Sequence, residues 1–322
     1  MKVFVTGASG FLGTHVVDKL LEDGHSVRSL FMPAEEPSKI DAVETVRGDV
    51  TDPKSLKGLM SGCDAVIHLA GAVGYGQTRQ ACNQVNGAGT RNVAEAAVAS
   101  SVRRFIHLSS VSVYGRVRGI VVDEKTSYKK IGDPYGDSKI EAEKALLQLK
   151  DRLDITIFRP TVVYGKGDVL FLPGLLDKLL AGKLWIVGRG DQKLTLIHAR
   201  DVAGAILLAL KNNISVGKIY NLSNRDNPAV KDLFSLIAET VGYQKTIKRI
   251  PYKVALAAAS LAEAVSRLTG KPPALSRFAV RIIGCEYQYS TDAIEADMGF
   301  LPKIDVRAGI VEALEQEPGS AP

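Results

Sequence analysis

Cysteine is scarce in this chain. The three cysteines among 322 residues, Cys63, Cys82 and Cys285, lie far apart and without paired spacing. That arrangement builds neither a disulfide framework nor a zinc site, and a reducing cytoplasm is the expected compartment. Histidine is sparse too, and no two of His15, His25, His68, His107 and His198 stand at metal-ligand spacing, so no metal is expected. Long apolar runs are also missing. The most apolar helical stretch, Val254 to Val265, is too short to span a bilayer and is interrupted by Glu263, so a core or lid helix is expected ahead of a membrane-surface contact. The chain enters a strand pattern at once (MKVFVTG) with no basic leader or small-residue cleavage site ahead of it, so secretion is not expected. Aromatic residues make up only 6% and do not interleave with the short basic pairs Arg103-Arg104 and Lys129-Lys130. A nucleic-acid footprint is therefore not expected, although the net charge of +6 suits an anionic ligand as well as a solvated basic surface. There is no internal repeat and no low-complexity segment, apart from a polar tail, EQEPGSAP, that should fray.

What is present is a rhythm of strands and helices, in a chain with 46% hydrophobic residues and room for a large core. Lys2 to Thr6 reads as a strand, a glycine turn follows, and Leu12, Val16, Val17, Leu20 and Leu21 recur at helical spacing. Further strands are expected at 26–31, 45–47, 65–69, 104–108 and 154–158, with helices at 90–99 and 135–149 between them. Such alternation predicts an α/β fold, a Rossmann doubly wound parallel sheet. After Tyr164-Gly165 the rhythm lapses. It should return to the main sheet with Leu194 to Ile197, a helix over 201–210 and a strand at 219–222, before a mostly helical remainder. Two units follow from this: 1–165 plus 194–222 for a dinucleotide, and a smaller, mostly helical C-terminal part, 166–193 plus 223–322, for a substrate.

Three glycines sit at the junction of the first strand and helix, in Thr6-Gly7-Ala8-Ser9-Gly10-Phe11-Leu12-Gly13. Gly7 permits the tight turn, Gly10 lets backbone approach a pyrophosphate, and Gly13 allows helix to pack closely on sheet. Ser9, Phe11 and Leu12 complete the expected cradle, and the helix N-terminus offers N–H groups to the phosphates. Asp49 and Val50, in GDVTD, are candidates for the adenine, and Leu69-Ala70-Gly71 is small enough to let a dinucleotide lie across the strand ends. The cofactor is thus NAD or NADP. No acid stands at the end of the second strand to bind a ribose 2′-hydroxyl, which favours NADP, with Arg28 or Lys39 as recruitable cations.

Tyr135 and Lys139 are four apart on a helix and share a face. An ammonium and a positive nicotinamide ring beside the phenol favour its phenolate, so Tyr135 can exchange a substrate proton while hydride moves. Leu108-Ser109-Ser110 ends the preceding strand, where Ser110, rather than Ser109, is expected to hold the reacting oxygen.

Together the motifs TGASGFLG, GDVTD, HLAG, NGAGTRNV, LSSVSVYG, PYGDSK and RPTVVYG run over most of the chain and resemble the extended short-chain dehydrogenase/reductases, also called the NAD-dependent epimerase/dehydratase family. The resemblance implies that Ser110, Tyr135 and Lys139 are the catalytic trio, that Asn86 and Pro160 lie near the nicotinamide half of the cofactor, and that the protein is a homodimer joined through two long helices. Nucleotide-sugar members of that family usually carry a diphosphate-gripping arginine where this chain has Leu194, with Lys193 beside it. The C-terminal pattern looks more like the 3β-hydroxysteroid dehydrogenase branch, in its apolar helix, Pro272-Pro273-Ala274-Leu275-Ser276-Arg277 and Tyr289 to Ala293. Hydride transfer at a secondary alcohol or ketone of a small or lipid-like substrate is therefore expected first. A nucleotide-sugar epimerase or dehydratase comes second, and a non-catalytic dinucleotide sensor third. His198 is open to two readings, a substrate contact or a structural histidine.

Overall fold

The computed structural model describes residues 1–34, 42–74, 76–269 and 275–315. Its strands are β1 (Lys2–Thr6), β2 (Ser26–Phe31), β3 (Val43–Arg47), β4 (Ala65–His68), β5 (Arg104–Leu108), β6 (Val121–Val122), β7 (Asp154–Pro160), β8 (Val162–Tyr164), β9 (Trp185–Val187), β10 (Leu196–His198), β11 (Lys218–Leu222), β12 (Lys248–Ile250) and β13 (Gln288–Tyr289). The helices are α1 (Phe11–Glu22), α2 (Arg79–Cys82), α3 (Thr90–Ala99), α4 (Pro134–Leu147), α5 (Phe171–Leu180), α6 (Ala199–Lys211), α7 (Val230–Thr240), α8 (Tyr252–Thr269), α9 (Arg277–Gly284), α10 (Asp292–Met298) and α11 (Val306–Glu315).

Seven strands form one parallel sheet in the order β11-β7-β5-β4-β1-β2-β3. Its central strands are buried on both faces, which is why β1 and β4 read as continuous apolar runs rather than alternating ones. Val16, Val17 and Leu20 of α1 and Ile206 and Leu210 of α6 cover one face. Val93, Ala94 and Ala97 of α3 and Leu146 of α4 cover the other. The strand order reverses between β1 and β4, so the crevice for a ligand opens at their carboxyl ends.

The expected return of 194–197 to the main sheet is corrected by the structure. β7 ends at Pro160, β8 runs clear of the sheet, and β10 pairs with β8 in a separate two-stranded ribbon. Only β11 rejoins the main sheet, beside β7. A further cluster, with Leu172 and Leu175 of α5, Phe234 and Ile237 of α7 and Ile310 of α11, packs around Tyr164. The helix expected at 254–265 is longer, and only part of its surface is covered: Ala255 and Ala259 are fully buried while Leu261 is 68% exposed. No described helix is long and apolar enough to cross a membrane. Pro272 to Ala274 and most of the polar tail lie outside the described residues.

Candidate active site

The glycine turn forms as its sequence demands. Gly7 has φ +72°, and a Cβ there would stand 2.7 Å from Ala70 N. A Cβ on Gly13 would lie 2.0 Å from Gly7 O, so helix and turn could not close on any larger residue. α1 begins after Gly10 with no side-chain cap and no acid in its first turn, leaving its first N–H groups to an anion. Leu12 is buried in the core, so its contribution to a phosphate site is its backbone; Ser9 is exposed and Phe11 half-buried at the rim. This cradle, small, uncapped and without a carboxylate, fits a dinucleotide pyrophosphate.

Asp49 and Val50 stand at the end of β3. Asp49 Oδ1 accepts both Thr51 N and Thr51 Oγ1 at 2.8 Å, closing its own turn, while Val50 is buried against Gly89. Arg28 is not brought to the cradle. It sits mid-strand, ion-paired to Glu44 at 2.9 Å and donating to Leu59 O and Ser61 O, each at 2.9 Å. The cation at the end of β2 is instead Arg47, the register partner of Phe31, which donates to Pro33 O at 2.7 Å. Lys39 lies outside the described residues.

On the other side of the crevice, Asp133 caps α4 through Gly136 N at 2.9 Å and Pro134 occupies the first turn, which starts the helix just before Tyr135. Most of α4 is buried, Lys139 at 4% exposure and Glu143 at 0% included, so Tyr135 and Lys139 do not belong to a surface stripe. Lys139 Nζ lies 5.8 Å from the Tyr135 ring centroid and donates to Leu108 O at 2.8 Å, at the end of β5. The Ser110 side chain accepts Ser112 N at 3.2 Å and lies near the Tyr135 phenol, favouring its ionised form. Ser109 instead turns inward to Glu143.

Asn86 lies in a π-helical turn, Asn83–Gly89, a widening often found where a helix serves a site. Its amide accepts Ala72 N at 2.7 Å and donates to Ala72 O at 3.0 Å and Ser138 Oγ at 2.9 Å. A Cβ on Gly71 would stand 3.2 Å from Asn86 Oδ1 and 3.6 Å from Lys139 Nζ. Leu69-Ala70-Gly71, Asn86, Lys139 and the glycine turn therefore converge at one crevice. Pro160 ends β7, two strands from β4 on the same edge of the sheet. His198 is structural: it caps α6 through Arg200 N at 3.1 Å and meets Tyr164 edge-on. Leu194 is a core residue, 6% exposed. No group of ligating side chains for a metal occurs among the described residues.

Glu143 and Arg159 were not singled out in the sequence. Arg159 donates to the Glu143 carboxylate at 3.0 and 2.5 Å, and the same carboxylate accepts Ser109 Oγ and, at 2.8 Å, Tyr128 OH. Arg159 also donates to Tyr114 OH at 2.7 Å. Glu143 continues the four-residue spacing of Tyr135 and Lys139, which was the available signal. A buried charge so placed needs a buried counter-charge, and Arg159 stands in RPTVVYG.

Electrostatics refine the expected chemistry. Burial pushes the Tyr135 phenol up to about 12, and the nearby Ser110 hydroxyl opposes this only in part. Without cofactor the group is thus held as a phenol, not a phenolate, because desolvation, with Asp133 and Cys82 adding to it, outweighs the help of the Ser110 hydroxyl. Burial lowers Lys139 to about 8, partly offset by Glu143.

A glycine cradle at the switch point of a parallel sheet, facing a half-buried tyrosine and a buried lysine, defines a nicotinamide-dependent Rossmann enzyme. A sequence profile of the NAD dependent epimerase/dehydratase family matches residues 3–223, and the chain belongs to that family. It is 30% identical to a 2-alkyl-3-oxoalkanoate reductase of Stenotrophomonas maltophilia, over 96% of this chain and 97% of the relative. It is 29% identical to a 4-hydroxy-2-methyl-3-oxo-4-farnesyl-3,4-dihydroquinoline-1-oxide ketoreductase of Stigmatella aurantiaca, over 98% and 96%. Among solved structures, UDP-glucose 4-epimerase of Thermotoga maritima superposes with a TM-score of 0.79 at 22% identity, covering 98% of each chain, a likeness of fold.

Proposed function

We propose that this chain reduces a ketone on a lipid-like substrate, with Ser110, Tyr135 and Lys139 as its catalytic residues. The observation that carries the reading is the crevice itself, where the Tyr135 ring stands 5.8 Å from Lys139 Nζ, near Ser110 and opposite the glycine turn. A reductase needs a proton donor there. When bound, the reduced nicotinamide supplies the hydride to the carbonyl carbon. Ser110 holds the carbonyl oxygen, Tyr135 gives that oxygen its proton, and Lys139 steadies the phenolate that results while holding the nicotinamide ribose. The relatives named as a 2-alkyl-3-oxoalkanoate reductase and a ketoreductase support a 3-oxo lipid, and Leu194 in the core, where sugar-nucleotide members carry an arginine, supports the same choice. The division of labour follows: 1–165 with 194–222 binds the dinucleotide, and the inward-facing residues of 166–193 with 223–322 shape the substrate pocket.

The test is a screen of the purified chain against 3-oxoalkanoates, sterols, hydroxy acids and nucleotide sugars, read by nicotinamide absorbance. The expected result is stoichiometric cofactor oxidation with a 3-oxo lipid. Conversion of a nucleotide sugar with tightly retained cofactor and no net oxidation would replace the reading by an epimerase.

NADP is the proposed cofactor, with Arg47 rather than Arg28 as the cation for the 2′-phosphate, since Arg47 stands beside Phe31 at the end of β2 whereas Arg28 sits mid-strand, ion-paired to Glu44. Arg47→Ala should raise the KM for NADPH about tenfold, the worth of one charge-assisted contact, and leave NADH nearly unchanged. Equal effects on both cofactors would remove Arg47 from this role.

The buried lysine also sets a pH dependence. Its ammonium is present below about 8 and lost above it. If that charge steadies the phenolate, kcat/KM for the cofactor is level below this inflection and falls about tenfold per pH unit above it, as loss of one proton requires. A profile level to pH 10 would exclude a role for the protonated lysine.

A further inference from the structure

Among the described residues, the outer face of α8 is apolar and uncovered. Ala255 and Ala259 turn inward against Val187 and Val280. On the opposite side Val254, Leu261 and Val265 are 54%, 68% and 49% exposed, and Ala257, Ala258 and Ala264 between them are exposed as well. These six positions recur at three- and four-residue steps, so they fill about a third of the helix circumference as one stripe. The helix's single acid, Glu263, points elsewhere and is held by Arg277 through Nε at 2.6 Å and its backbone N at 2.8 Å.

The charge around this stripe is not that of the rest of the molecule. From Val241 to Cys285 the chain has eight of its 41 cationic residues and only one of its 35 acids, Glu263. That segment therefore nets seven positive charges, more than the +6 of the whole chain. Lys245, Lys248 and Arg249 are exposed just ahead of α8, and exposed Lys253 in its first turn borders the apolar stripe. Trp185, the single tryptophan, is 40% exposed and is the register partner of Lys248 on the β9–β12 ribbon. An apolar stripe with a basic rim and a nearby half-exposed indole is the pattern that settles at the headgroup level of an anionic bilayer.

We propose that α8, with the basic β12 strand before it, docks this enzyme on anionic membrane surfaces, the helix lying in the interface plane. At 18 residues the helix is about 27 Å long, and no described helix is long and apolar enough to cross a bilayer, so the contact is peripheral. Charge complementarity selects the occupant. A second copy of this face would bring the same positive charge against itself, whereas an anionic lipid surface supplies both the counter-charge and the apolar boundary. The inference stands apart from the substrate reading, because neither the stripe nor its rim takes part in the chemistry.

Flotation of the full chain with phosphatidylcholine vesicles, with and without phosphatidylglycerol, tests it. Binding is expected on the phosphatidylglycerol vesicles only, weakening as salt screens the charges. A Leu261→Glu, Val265→Glu variant should bind at least about tenfold less, since a charge replaces each buried side chain. Lys248→Glu, Arg249→Glu should lose the preference for anionic lipid. Both variants should keep cofactor affinity and turnover of a soluble substrate, which shows that they are folded. Vesicle binding that is absent, or unchanged in the Leu261→Glu, Val265→Glu variant, overturns the proposal. So does a dimer, seen by light scattering, that the same variant dissolves, because the face would then belong to a second copy.

Discussion

Tyr135→Phe should lower kcat by about three orders of magnitude, the usual worth of a positioned proton donor, while leaving cofactor affinity within about twofold. The substitution removes one oxygen from a site whose other members hold their places without it. Lys139 stays bonded to Leu108 O, and Asn86 stays bonded to Ala72 and Ser138. The glycine cradle is remote from the phenol along the chain and closes on its own backbone contacts. Cofactor quenching of the protein's fluorescence measures the affinity, and steady-state kinetics measure the loss. A variant with unchanged kcat would contradict the proton role, and one that lost cofactor binding to the same degree would show the phenol to be structural.

The second large effect concerns stability. Glu143→Ala strips Arg159 of its counter-charge in a place where Arg159 is 1% exposed. An uncompensated buried guanidinium costs about 3–5 kcal/mol, and in a chain of this size the melting temperature should fall by something on the order of 10 °C. The same carboxylate accepts Ser109 and Tyr128, so the strand end that carries Ser110 should loosen with it. Replacing the pair together, Glu143→Leu with Arg159→Met, should recover much of the stability, because no charge is left buried. Calorimetry on the three variants separates these outcomes; a double variant as unstable as Glu143→Ala would mean that packing, not charge, dominates there.

These two sites also mark what was legible in the sequence. The main sheet was readable because its central strands are largely apolar runs closed by turns, and the glycine turn because its spacing has a steric reason at every position. Tyr135, Lys139 and Ser110 were readable as local motifs and Asn86 only through the family resemblance, and the structure brings them to one crevice. Arg28 was placed wrongly because periodicity locates a residue on a strand but not the partners it will meet: Glu44 on the neighbouring strand captures it. Arg47 was passed over for the same reason, since its nearness to the end of β2 arises only when β3 pairs there. The ribbon of β8 and β10 was misread because a three-residue strand carries too little pattern to name its partner. The protonation of Tyr135 was not legible at all, for it depends on how deeply the helix is buried. The outward face of α8 reads as core in a linear sequence, since alanine and leucine look alike on either side of a helix until the neighbours are known.

In the proposed reaction, hydride passes to a substrate carbonyl carbon while Tyr135 supplies the proton. Its most direct test is reduction with cofactor carrying deuterium on the transferable C4 position, followed by mass spectrometry of the product. One deuterium on the new carbinol carbon, with one cofactor oxidised per product, is the predicted result. A product free of label, formed with no net oxidation of cofactor, would contradict it.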